Sequence, residues 1–164
     1  MKTVVLIRHA KAAKSGSGTT DADRPLTERG ENDARQAGAR LKSRGIVPDR
    51  LFVSPALRAR QSAERLADTL GLATDRITPE PMLYKASATD LERFVEGLSD
   101  DVETVGLVGH NPTFTEFANR IGSEPVDNIP AGGVYAVTFP TDTWAEAVTA
   151  VPGTTVYARG PKDV

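Results

Sequence analysis

Cysteine is absent from the 164 residues, so the fold has no disulfide framework, and a thiol nucleophile or a cysteine-based metal site is impossible. An excess of charge of either sign is missing too. With 20 basic and 22 acidic residues the formal net charge is -2, so no sequence-wide basic field exists to hold a nucleic-acid backbone or an anionic membrane. No apolar run approaches the roughly 20 residues of a membrane span. Met1-Lys2 and the run Thr3 to Ile7 look like the start of a signal peptide, but the run is short and Arg8 and His9 interrupt it. A soluble cytoplasmic protein is the expectation, with neither nucleic acid nor membrane as a partner. Histidine is also scarce: the chain has two, His9 and His110.

What is present reads as one globular domain over residues 1–164, with 39% hydrophobic and 26% charged residues, no internal repeat and no linker. Thr3 to Ile7 is a continuous β-branched run, as suits a strand buried on both faces of a parallel sheet, and Thr104 to Val108 is a second. Shorter strands fit at Leu51 to Val53 and around Ile77-Thr78. Four helices are punctuated between and after them. The first runs from Thr27 as N-cap to Gly45 beyond its end, with Ala34, Ala37, Gly38 and Leu41 on one face. The second opens at Ser54-Pro55 and carries Ala63, Leu66, Ala67 and Leu70 before Gly71. The third starts at Ser87, with Asp90 completing a capping box, and the fourth at Asn111-Pro112, stopping at Gly122.

Alternating strands and helices predict an α/β domain of three layers, a mainly parallel central sheet with helices on both faces. The C-terminal third reads differently. Val134 to Phe139, Ala147 to Val151 and Thr155 to Ala158 look like strands without intervening helices, forming an antiparallel or mixed edge. Loops 11–25 and 122–133 are long enough to be functional, while Trp144 and the stretch Asp127 to Gly133 read as packing and connection.

In open α/β sheets, ligands bind outside the carboxyl ends of the strands, and both histidines lie just past such ends. Arg8 precedes His9, and His110 stands before a helix N-terminus, where free N–H groups and the helix dipole favour anions. The Ser54-Pro55 helix adds a third such place, with Arg58 in its first turns. Two histidines, two arginines and two helix N-termini on one rim make up a phosphate pocket.

These residues resemble a known family. Arg8-His9-Ala10 is similar to the Arg-His-Gly motif of the histidine phosphatase (phosphoglycerate mutase-like) superfamily, and Arg24-Pro25-Leu26-Thr27 with Gly30 to the start of its first helix. Ser54-Pro55-Ala56-Leu57-Arg58-Ala59-Arg60-Gln61 resembles its Ser-Pro-x-x-Arg-Ala-x-Gln segment, and Gly109-His110-Asn111-Pro112 its second-histidine motif. The short chain and Leu83 to Ser87 look most like the small SixA-type phosphohistidine phosphatases.

The resemblance implies that His9 is a nucleophile forming a phosphohistidine intermediate, that Arg8 and Arg58 grip the phosphoryl oxygens, and that His110 stabilises the transferring group. A neutral imidazole suits that task near pH 7 if one ring nitrogen is held as a donor, and a backbone carbonyl is the expected holder. Asn111, Lys11 and Ser15 are candidate substrate contacts, and Lys14 a further rim residue. No metal or other cofactor is implied, since two histidines without an acidic cluster form a poor ligand set. Ala10 stands at the family's glycine, which requires that this position not need φ > 0. Members acting on phosphate esters place a carboxylic acid after the third strand. Met82 to Lys85 offers none, so Glu80 is the nearest candidate, with Asp21 or Asp23 of the first long loop behind it. An imidazole leaving group can be protonated beforehand whereas an alkoxide needs its proton in the transition state, so the expected substrate is phosphohistidine on a signalling or phosphotransfer protein. The alternatives are a phosphatase for a small phosphate ester with Glu80 as acid, and a module that binds phosphate without turnover.

Overall fold

Val4, Val5, Leu6 and Ile7 are each no more than 2% exposed, because the strand they form, β1 (Lys2–Arg8), lies inside the sheet with neighbours on both edges and helices over both faces. The computed structural model describes residues 1–16 and 18–163. The other strands are β2 (Arg50–Val53), β3 (Ile77–Pro79), β4 (Thr104–Gly109), β5 (Val134–Phe139) and β6 (Thr154–Arg159), and the helices are α1 (Glu28–Ser43), α2 (Leu57–Leu70), α3 (Ala88–Glu96), α4 (Thr113–Ile121) and α5 (Trp144–Thr149). The six strands form one sheet in the order β3-β2-β4-β1-β5-β6. The first four in that row are parallel, and β5 and β6 complete it in antiparallel pairings.

Alternation along each strand divides the core into two layers. Val5, Ile7, Val108 and Ala136 pack with Ala37 and Leu41 of α1 and Ala63, Leu66 and Leu70 of α2. On the other face, Val4, Leu6, Leu107 and Val137 meet Leu91 of α3, Phe114 and Phe117 of α4, and Trp144 of α5. Helices therefore cover both faces of a mixed, mostly parallel sheet, as the sequence pattern predicts. Among the described residues, no helix is long and apolar enough to cross a membrane.

Two local expectations are corrected. The stretch around Ala147 to Val151 is not a strand; α5 occupies Trp144–Thr149, capped by Thr143, whose Oγ1 accepts from Glu146 N, and buries Trp144 and Ala147 one turn apart. Six residues are too few to establish a helical period, and Val148 and Thr149 favour strands, so the Thr143-x-x-Glu146 capping pair was the available sign. Likewise α2 starts at Leu57 rather than Pro55 and has no side-chain cap, because its N-cap residue is Ala56, whose methyl group cannot accept, and Ser54 lies two residues before it. The Thr27 cap on α1 and the Ser87–Asp90 capping box on α3 form as expected. Helix α4 begins at Thr113, after Asn111-Pro112.

Candidate active site

Sheet register brings the histidines together. In the parallel β1–β4 pair Arg8 lies opposite Gly109, so His9 and His110 leave the sheet side by side, and His9 N donates to Gly109 O at 3.1 Å. Their ring centroids are 5.1 Å apart. Val53 of β2 lies opposite Val108, which brings Ser54 to the same rim, where its Oγ is 2.7 Å from His110 Nε2. Gly109 is required by close approach, since a Cβ there would sit 2.6 Å from the Phe114 ring.

His9 Nδ1 is 2.8 Å from the Ala10 carbonyl oxygen. A carbonyl can only accept, so Nδ1 carries the proton and Nε2 presents its lone pair. That Nε2 accepts from Arg58 Nε at 3.3 Å. No residue other than glycine adopts positive φ among the described residues, so Ala10 is accommodated without strain. Its N–H donates to Ser62 Oγ, which in turn donates to Arg58 O, tying the His9 segment to α2.

Arg58 is buried, and its other donors reach the long loop 11–25: Nη1 to the Asp21 carbonyl at 2.7 Å and Nη2 to Asp21 Oδ2 at 3.0 Å. The base of that loop is pinned. Ala13 N donates to Pro25 O, Thr27 N to Lys11 O, and Gln61 Oε1 accepts from Leu26 N, which gives the last residue of the Ser54 to Gln61 segment a structural task. Near its tip, a short turn over Asp21–Asp23 carries Asp21 over the site, where its carboxylate also meets Arg24 Nη1 at 3.0 Å and the Tyr84 hydroxyl at 2.6 Å. The Tyr84 ring stands edge-on to His110 with centroids 5.6 Å apart.

The second long loop secures Arg8. Gly132, at φ +77°, donates its N–H to the carbonyls of Arg8 and His9, and Arg8 Nη1 donates to Ile129 O at 2.9 Å. Asn111 Nδ2 donates to Asn128 Oδ1 and Ile129 O while its Oδ1 accepts from Thr115, so its amide holds this loop to α4. Two buried side-chain polar atoms have no hydrogen-bond partner among the described residues, Arg8 Nε and His110 Nδ1.

Burial dominates the electrostatics. It lowers the His9 pKa to about 4; the Ala10 hydrogen bond opposes the shift, and the charges of Arg58, Arg8 and Arg24 add to it. His110 is lowered to about 3, again first by burial and then by His9 and Arg58, with Asp21 opposing. Both rings are neutral at pH 7. Asp21 is held well below the usual carboxylate range, first by the Tyr84 hydroxyl and then by Arg24, and stays ionised.

Other sequence candidates make no side-chain hydrogen bond or ion pair with this cluster among the described residues. The Glu80 carboxylate accepts from Met82 N at 3.4 Å, capping its own turn. Lys14, Ser15 and Asp23 are exposed. Lys11 faces a cavity of about 490 Å³ with Arg29, Asp33 and Lys162, which contains neither histidine, whereas a cleft of about 260 Å³ lined by Tyr84, Lys85, Asn111 and Thr113 opens on His110 itself. Sequence reasoning did not anticipate Ser54 as a partner of His110, nor Tyr84. Nothing local marks Ser54 beyond its helix-start pattern, and Tyr84 lay in the stretch singled out by resemblance.

Comparison with known proteins gives a consistent result. A family model described as the histidine phosphatase superfamily (branch 1) matches residues 4–94. The phosphohistidine phosphatase SixA of Escherichia coli (strain K12) is 36% identical over 110 residues, 66% of this chain and 67% of that protein. A 2,3-bisphosphoglycerate-dependent phosphoglycerate mutase of Mesorhizobium japonicum is 31% identical over 104 residues, 61% of this chain and 48% of the mutase. Among solved structures, the protein histidine phosphatase SixA complexed with tungstate has a TM-score of 0.81 over 97% of each chain at 24% identity, a likeness of fold. With the paired histidines at adjacent strand ends and the arginine of α2 on the first of them, the chain belongs to the histidine phosphatase superfamily, branch 1.

Proposed function

We propose that this protein hydrolyses phosphohistidine on a signalling or phosphotransfer protein through a covalent intermediate on His9. One observation carries the reading: His9 is neutral, its Nδ1–H is held by the Ala10 carbonyl, and its free Nε2 already meets the guanidinium that would hold the phosphoryl group. In the first step Nε2 attacks phosphorus, the bond from phosphorus to the leaving nitrogen breaks, and its electron pair departs with that nitrogen. Arg8 and Arg58 bind the non-bridging oxygens with planar, permanently charged forks. The Ser54 hydroxyl, 2.7 Å from His110 Nε2, orients the neutral His110 ring beside His9, where it stabilises the charge spreading over the transferring group. Water then attacks the phosphoryl group on His9, the P–N bond breaks towards the ring, and inorganic phosphate leaves.

The substrate class follows from the proton inventory. An alkoxide would need a proton from a nearby acid, but Asp21 is ionised and Glu80 caps its own turn, whereas an imidazole can arrive already protonated. The similarity to the E. coli phosphohistidine phosphatase supports the same choice. Two assays test it. A phosphohistidine protein and a panel of phosphate esters are compared side by side, with strong preference for phosphohistidine expected and preference for esters overturning the substrate assignment. Labelled substrate quenched during turnover leaves an acid-labile, base-stable phosphoryl group on the wild-type protein and none on His9→Ala; its absence during a burst rules out the nucleophile. Glu80→Gln barely changes phosphohistidine turnover if no acid is used.

A further inference from the structure

Five side chains close a circuit of contacts. His9 Nε2 meets Arg58 Nε at 3.3 Å, Arg58 Nη2 meets Asp21 Oδ2 at 3.0 Å, and Tyr84 donates its hydroxyl to the same Oδ2 at 2.6 Å. The Tyr84 ring stands against His110, and His110 against His9, which completes the circuit. The members differ in depth. Arg58 is 8% exposed, whereas the Asp21 side chain is 51% exposed and reaches the circuit from the 11–25 loop. Phosphoryl transfer proceeds with attacking and leaving atoms roughly in line. The half-exposed Asp21 carboxylate lies on the solvent side of the buried guanidinium, where a leaving group departing to solvent can meet it.

A carboxylate there is an odd choice for a site that binds phosphate. It repels the incoming anion and accepts from the same guanidinium edge that faces His9. The arrangement becomes favourable if the leaving group brings a positive charge of its own. A phosphohistidine protonated on its second ring nitrogen does so; an ester oxygen does not.

We propose that Asp21 is a specificity-determining residue: its carboxylate accepts a hydrogen bond from the N–H of a protonated imidazole leaving group and so selects phosphoramidates over phosphate esters. The inference rests on the reading under Proposed function and adds the residue that enforces it. As His9 Nε2 bonds to phosphorus, the P–N bond breaks and its electron pair stays on the leaving nitrogen. The leaving ring passes from cation to neutral imidazole and keeps its remaining N–H on Asp21, so no proton is transferred in this step. An ionised Asp21, held so by Tyr84, Arg24 and Arg58, can accept this bond and cannot serve as a proton donor.

The test compares wild type, Asp21→Asn and Asp21→Glu with two small substrates, N-phosphorylimidazole and phenyl phosphate, so that docking of a protein plays no part. In Asp21→Asn the ratio of kcat/KM for the phosphoramidate to that for the ester falls by about tenfold to a hundredfold, as the loss of a hydrogen bond between charged groups entails. Asp21→Glu restores part of the ratio. Equal decline on both substrates would show that Asp21 only supports Arg58, and a larger loss on the ester would make it a proton donor; either overturns the proposal, as does an unchanged ratio. A wild-type protein that prefers the ester removes the substrate reading itself, whereas a preference for the phosphoramidate that survives Asp21→Asn removes only the role of Asp21.

Discussion

At the scale of single residues, the site is defined by what each histidine is denied. Burial denies both of them protons, and the Ala10 carbonyl denies His9 its other tautomer. Because the chain has only two histidines, an NMR titration of the free protein shows two imidazole signals, with midpoints expected at about 4 for His9 and about 3 for His110. A midpoint near the ordinary value of about 6.5 would mean that the ring is solvated and that its neutral state owes nothing to the fold. Ser54 is the residue whose role depends most on distance in space. Its hydroxyl looks like a helix cap from its neighbours in sequence, yet it bonds a histidine 56 positions away.

At the scale of elements, the site depends on two loops that each bind a different arginine at the strand ends. Loop 11–25 carries Asp21 to Arg58, and loop 122–133 holds Arg8 through Ile129 and the His9 segment through Gly132. Gly132 lies at φ +77°, and a Cβ there would also come within 3.0 Å of Pro161. Gly132→Ala therefore forces a left-handed alanine, costing about 1–2 kcal/mol. The midpoint of thermal unfolding is expected to fall by roughly 2–8 °C for a chain of this size. The substitution also lowers kcat/KM, because its N–H anchors the carbonyls of Arg8 and His9. An unchanged melting temperature with unchanged turnover would show that the loop adapts. Helix α5 teaches the reverse lesson about local signs. Its six residues were too few to show a period, but the buried Trp144 and the Thr143 cap hold it as a helix against strand-favouring Val148 and Thr149.

At the scale of the whole molecule, holding two buried histidines neutral has a thermodynamic consequence. Both folded-state pKa values lie below the unfolded value of about 6.5, so between that pH and about 3 the unfolded chain binds protons that the folded chain refuses. Stability present above pH 6.5 is lost as the pH falls through about 4 and then about 3. Thermal melts at stepped pH are expected to show this decline, and the double variant His9→Asn, His110→Gln to decline less steeply; equal slopes would assign the acid sensitivity to the carboxylates alone. Much of the architecture follows from the sequence by itself. The continuous β-branched runs determine buried parallel strands, and Thr27, Ser87 and Gly71 mark helix ends, because burial period and capping are decided by residues a few positions apart. Placing both histidines at strand carboxyl ends is legible for the same reason. Only the tertiary structure decided that the two rings stand 5.1 Å apart, that the Ser54 hydroxyl reaches His110, and that Asp21, not Glu80, is the carboxylate on Arg58. Those choices were set by sheet register and by where a pinned loop lands, contacts between residues far apart in the chain that no local pattern encodes.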